Sequence, residues 1–173
     1  MQWYETVFEL IDMRSFSNLW YWIALAVLWS TASHWVLGVP YDLVMRARRS
    51  GGEAEADLQH MVRINVRRLL YIAQVSGLWL VGLVAFGLTV LGMLGFYYGV
   101  EFAQAVLCLL LPLSLVGMLS LRTARRIAEG ENEGPALHRR LLRHRMAIQG
   151  IGMFAIFVTA MWGMLQNLRV GAL

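Results

Sequence analysis

LLYIAQVSGLWLVGLVAFGLTVLGMLGFYYGVEFAQAVLCLLLPLSLVGMLSL, Leu69 to Leu121, is a run of 53 residues with a single charged side chain, Glu101. One helix needs only about 20 apolar residues to cross the ~30 Å hydrocarbon core of a bilayer. The run is more than twice that length, so it must cross, turn and cross back. The turn falls best at GFYYGVE, Gly95 to Glu101. Its glycines permit the reversal, and Tyr97 and Tyr98 suit a membrane interface.

Outward from this hairpin the same pattern recurs on both sides. NLWYWIALAVLWSTASHWVLGV, residues 18–39, reads as a first span stopped by Pro40, and residues 146–168 as a last one. The chain is 58% hydrophobic and only 15% charged, with the charges gathered in blocks between the apolar runs. A soluble domain of this size would show polar and apolar faces throughout instead. The expected fold is all-α: an integral membrane four-helix bundle forming one domain over 1–173. Its spans are 18–39, 69–94, 102–121 and 146–168, with an outer turn at 95–101.

Arginine sets the orientation. Arg46, Arg48, Arg49, Arg63, Arg67 and Arg68 fall in the segment 40–68, and Arg122, Arg125, Arg126, Arg139, Arg140, Arg143 and Arg145 in 122–145. Only Arg14 and Arg169 lie elsewhere, and the chain has no lysine. By the positive-inside rule both segments are cytoplasmic loops, which leaves the hairpin turn and both termini outside. Each loop reads as partly helical, the second restarting a helix at Pro135 after Gly130 and Gly134. Arginine forks bind phosphate and carboxylate bidentately. Arg46, Arg48, Arg49, Arg67, Arg68, Arg122, Arg125, Arg126, Arg139 and Arg140 are therefore the candidate contacts to anionic phospholipid or an acidic protein partner.

The opening MQWYETVFELIDMRSF carries Glu5, Glu9 and Asp12 against Arg14. That balance predicts no secretory signal. Trp3, Val7, Leu10 and Ile11 share one helical face, so residues 1–16 read as an amphipathic helix on the outer surface. Ser15 or Ser17 would then cap the first span. Loose repeats link the two halves: ARR at Ala47–Arg49 and Ala124–Arg126, RRLL at Arg67–Leu70 and Arg139–Leu142. Either a parallel duplication or convergence on basic membrane-edge segments produces them.

Polar residues mark one depth. His34 lies near the inner end of the first span, Gln74 and Ser76 near the inner start of the second, Ser114 toward the inner end of the third, and Gln149 one turn into the fourth. At 1.5 Å per residue each is within ~5–10 Å of the inner boundary. With Ser30, four residues before His34 on the same face, they form a candidate polar layer. It has two readings: hydrogen bonds that fix helix packing, or a working site in which His34 carries a proton or touches a ligand. A haem ligated by His34 stays open as an alternative, with an edge pairing to His144 as its second ligand.

Other chemistry is scarce. The lone Cys108 excludes an internal disulfide and any cysteine-built zinc or iron–sulfur site within this chain. No CxxC, HExxH, P-loop or GxSxG occurs, and Glu101 at the outer turn reads as solvated. No catalytic residue and no cofactor are expected, and nucleic acid is not among the expected partners.

Three segments carry a resemblance: DMRSFSNLWYWIALAVLWSTASHWVLGVPYD, NVRRLLYIAQVSGLWL and FVTAMWGMLQNL. They resemble a family of small four-span membrane proteins of alphaproteobacteria, the Rhodobacter relatives. Members are sometimes labelled a component of the Suf iron–sulfur assembly complex. The resemblance runs along most of the chain and implies the bacterial inner membrane; it carries no catalytic residue over. The function expected is an accessory or assembly subunit of a larger inner-membrane complex, working with a protein partner or as a homo-oligomer. A small oligomeric transporter or channel using the layer around His34 is the alternative.

Overall fold

A computed structural model describes residues 15–130 and 133–171, with side chains up to residue 168. The expected interfacial helix falls almost wholly on residues 1–14, outside this range. Five helices account for nearly all of the described chain: α1 Leu19–His34, α2 Tyr41–Ser50, α3 Gly52–Gly92, α4 Glu101–Ala128 and α5 Gly134–Gly171. A 3-10 turn, Ser15–Ser17, precedes α1, and a π-helical turn, Met93–Tyr97, extends α3. Three stretches are long and apolar enough to cross a membrane: Gly52–Tyr97, Glu101–Ala128 and Gly134–Leu168. The chain is thus a helical, multi-pass membrane protein.

The first apolar run behaves differently from its expected span. α1 has 16 residues, roughly 24 Å at 1.5 Å per residue, short of a ~30 Å hydrocarbon core. It ends at His34 rather than Val39. Its cap is Asn18, whose Oδ1 accepts the Trp20 amide at 3.0 Å, rather than Ser15 or Ser17. Beyond His34 the chain forms a tight hairpin in which Val36 (β1, Trp35–Val36) pairs with Val39 (β2, Val39–Pro40). Leu37 and Gly38 at its tip both have positive φ, 54° and 73°, as a type I′ turn requires. Asn65 Nδ2 donates to the Gly38 carbonyl at 3.2 Å and ties the tip to α3. The helix stops here because Val36 and Val39 become fully buried in a core outside the apolar runs.

That core shows what the Arg-rich segments are. They are helical, as expected in part, and pack together as a head made of α2, the first third of α3, the end of α4 and the start of α5. Leu58, Val62 and Val66 of α3 repeat every four residues and face Leu43, Val44 and Ala47 of α2 and Ala124 and Ile127 of α4. Leu137 and Leu141 of α5, both 0% exposed, close the cluster. The arginines stand on the outward faces of the same helices. Arg145 is an exception: its guanidinium lies 3.7 Å from the centre of the Tyr41 ring and joins α5 to α2 by a cation–π contact.

Within the apolar layer a second cluster packs Leu25 and Trp29 of α1 against Ala155 of α5. Gly152 permits it, because a Cβ there would lie 2.7 Å from Trp29 Cε3. Gly77, Gly82, Gly87 and Gly92 of α3, by contrast, have nothing within 4 Å of a Cβ. The apolar half of α3 has no buried residue in its most apolar 18-residue window, whereas α4 and α5 each bury 28% of theirs.

At the far end Gln104 is a buried hub. Its Nε2 donates to the Gly95 carbonyl at 2.7 Å, and its Oε1 accepts from Trp162 Nε1 at 2.9 Å and from Gln166 Nε2. Glu101 is not merely solvated, since its Oε1 accepts the Phe16 amide at 2.8 Å and anchors the 3-10 turn. Phe16 in turn lies over Gly163, where a Cβ would sit 3.2 Å from its Cδ1. Gln104→Leu removes the hub and leaves the Gly95 carbonyl and two donors unmet. At ~0.6–2 kcal/mol per interhelical hydrogen bond, losing three should cost roughly 2–6 kcal/mol in detergent unfolding. An unchanged unfolding midpoint would show that the hub does not hold the end of the bundle away from the head.

The two halves do not share a backbone plan. α1 breaks into a hairpin before α2, whereas α4 runs unbroken from Glu101 to Ala128. Only the ARR words match in environment, with Ala47 and Ala124 both buried.

Candidate functional site

The structure does not link the expected polar layer into a network. Ser30, His34 and Gln74 are exposed, while Ser76, Ser114 and Gln149 are partly buried. Ser114 Oγ donates back to its own helix at the Leu111 carbonyl, 2.6 Å away. The His34 ring meets only the edge of Trp35, 5.9 Å between centres. Among the described residues no hydrogen bond joins any two members of the layer.

A polar group the fold encloses where the head meets the apolar layer is His144, 2% exposed. Its Nδ1 lies 3.1 Å from Thr123 Oγ1 and its Nε2 3.3 Å from Ser120 Oγ. Ser120 Oγ also sits 2.8 Å from the Val116 carbonyl, the acceptor for its single proton. The serine oxygen must then accept from imidazole Nε2–H, which leaves Nδ1 to accept the Thr123 hydroxyl proton. The set is satisfied by a neutral imidazole with no proton to spare. Burial agrees, pushing the His144 pKa down to about 4. The sequence did carry a signal for it: Leu137, Leu141, His144 and Ile148 repeat every three or four residues, and all four are buried. The helix restarting at Pro135 was expected; what covers its apolar face lies on distant segments of α2, α3 and α4.

With both ring nitrogens engaged, His144 is not free to serve as a second haem ligand opposite His34. Among the described residues no group of three or more His, Cys, Asp or Glu side chains could hold a metal ion.

The arginines divide by exposure. Arg46, Arg48, Arg49, Arg67, Arg68, Arg122, Arg125, Arg126 and Arg139 are exposed, and Arg140 is partly buried. They therefore form a charged outer coat on a packed head, held at fixed positions by the helices beneath. A hydrogen bond crosses the head: His138 Nε2 meets Glu55 Oε2 at 2.7 Å and fastens the start of α5 to the start of α3. Compared with known proteins, the chain matches no family model, no curated protein and no solved structure.

Proposed function

We propose that this protein is an accessory subunit of a larger bacterial inner-membrane complex. In this reading α1 is a short fourth span, both termini face out, and the Arg-coated head stands in the cytoplasm. The observation that carries it is the uncovered apolar half of α3. Leu78 is 88% exposed and Trp79 82%, with Leu83 and Phe86 each at 68%. Residues 78–86 are exposed without interruption, more than two turns of helix that no other part of the chain covers on any side. Trp79 lies about ten residues, roughly 15 Å, inside the apolar run. Indole prefers the interface, where its N–H finds an acceptor. A tryptophan at mid-depth with open glycines on the same helix fits a neighbouring protein helix better than bare lipid. The resemblance to small four-span proteins of alphaproteobacteria points to the same compartment.

Gentle-detergent extraction at native abundance should yield a particle well above the 19.6 kDa of the chain. Near an anionic surface each basic residue contributes roughly 1 kcal/mol. Reversing Arg125 and Arg126 together to Glu should therefore release the partner, while His34→Gln leaves the particle intact. A chain that migrates alone, in cells whose phenotype is lost with His34→Gln, would replace the subunit reading with the transporter one.

A further inference from the structure

One cavity in the head gathers charged side chains from three helices. It is about 500 Å³ and lies where the end of α2, the start of α3 and the start of α5 converge. Arg48, Glu55, His138 and Arg139 line it, together with Gly51 and Gly134. Its size falls within the range of small-molecule sites, ~300–1,000 Å³.

Its electrostatics select an anion. Arg48 and Arg139 come from different helices and meet at one opening, both exposed. Neither pairs with a carboxylate among the described residues. Arg139 Nε donates to the Pro135 carbonyl of its own helix at 3.2 Å, which fixes the stem and leaves the two terminal nitrogens available. The one acidic lining residue is already engaged: Glu55 Oε2 holds His138 Nε2 at 2.7 Å, and Oε1 accepts from Gln59 Nε2 at 3.3 Å. His138 Nδ1 is buried and has no hydrogen-bond partner among the described residues. α5 opens at Gly134 with no acidic residue in its first turn, and its positive end adds to the field.

We infer that this cleft is a binding site for a phosphate group, clamped between the forks of Arg48 and Arg139. The inference does not rest on the subunit reading. Planar guanidinium forks match phosphate oxygens bidentately, and two of them on independent helices can hold one group from both sides. A soluble phosphate ester is the favoured source over a lipid headgroup. Glu55 precedes the apolar run at Leu69 by about 14 residues, roughly 21 Å of helix, and His138 precedes Met146 by about 8, roughly 12 Å. The headgroup layer is only about 5–8 Å deep.

The test uses the full-length chain in nanodiscs of phosphatidylcholine. Inorganic phosphate and adenosine monophosphate are titrated calorimetrically, and soluble dioctanoyl phosphatidylglycerol is titrated separately. Saturable binding of either soluble phosphate is expected, weakened about tenfold or more by Arg48→Gln and by Arg139→Gln. Arg63→Gln, on the same head but outside the cleft, should bind as the parent does. If only phosphatidylglycerol binds, with the same dependence on Arg48 and Arg139, the site stands and its phosphate belongs to a lipid. Arg48→Lys and Arg139→Lys keep the charge but lose the fork; they should melt as the parent and bind several-fold more weakly. Affinities for all three probes that are indifferent to both arginines would overturn the site.

Discussion

Gly152→Leu should separate α1 from α5 and give a large loss of stability in the apolar layer. Even the first added carbon, Cβ, would lie 2.7 Å from Trp29 Cε3 and 3.1 Å from Cδ2, closer than side-chain atoms can approach. The Trp29 ring has nowhere to retreat. It is 4% exposed and packed among Leu25, Ala155 and their neighbours. Overpacking a tight site costs typically about 1–3 kcal/mol; a leucine wedged between two helices should reach about 3 kcal/mol or more. The measurement is unfolding in mixed micelles, and the unfolding midpoint should fall sharply. Gly150→Leu is the matched control, since a Cβ at Gly150 meets nothing within 4 Å. Equal effects from the two substitutions would mean that α1 is not seated on Gly152.

Acid should weaken the fold through His144, and the sign follows from its environment. Burial lowers its pKa from 6.5 to about 4, so the unfolded chain binds a proton more readily than the folded one. Stability that depends on this residue is fully present above pH 6.5. It is lost progressively as pH falls from there to about 4, and no further below. The two ends of that window differ by roughly 3 kcal/mol at 1.36 kcal/mol per unit. Thr123 and Ser120, the groups its nitrogens touch, do not titrate in this range, so neither offsets the loss. Unfolding of the parent and of His144→Gln should be compared at pH 7.5, 5.5 and 4.5. Gln lacks the switch, so the gap between the two proteins should narrow or reverse on acidification. Other carboxylates and histidines contribute to both curves and cancel in the difference. Curves that stay parallel would show that His144 takes up its proton without disturbing Thr123 and Ser120.

The sequence by itself determined the membrane class and the hairpin. These depend on run length, charge and composition, which are properties of the chain before it folds. A run of 53 apolar residues has to double back whatever surrounds it, and the reversal does fall at Tyr98–Val100, inside the expected Gly95–Glu101. Tertiary structure decided everything that depends on two distant segments meeting. The first apolar run looks continuous to Val39, yet its helix ends at His34, because Val36 and Val39 gain a buried place against α2 and α3 that local propensity does not reveal. The Arg-rich segments read as partly helical, but their charge masks apolar stripes of modest strength, so their packing into one head did not show. Leu58, Val62 and Val66 become a core only when Leu137 and Leu141, some 75 residues later, arrive to cover them. Polar residues followed the same division. The sequence could place His34, Gln74 and Gln149 at one depth, but rotation about each helix axis chooses which of them face inward. Here it chose His144, with Thr123 and Ser120 closing both of its nitrogens, while His34 and Gln74 stayed exposed.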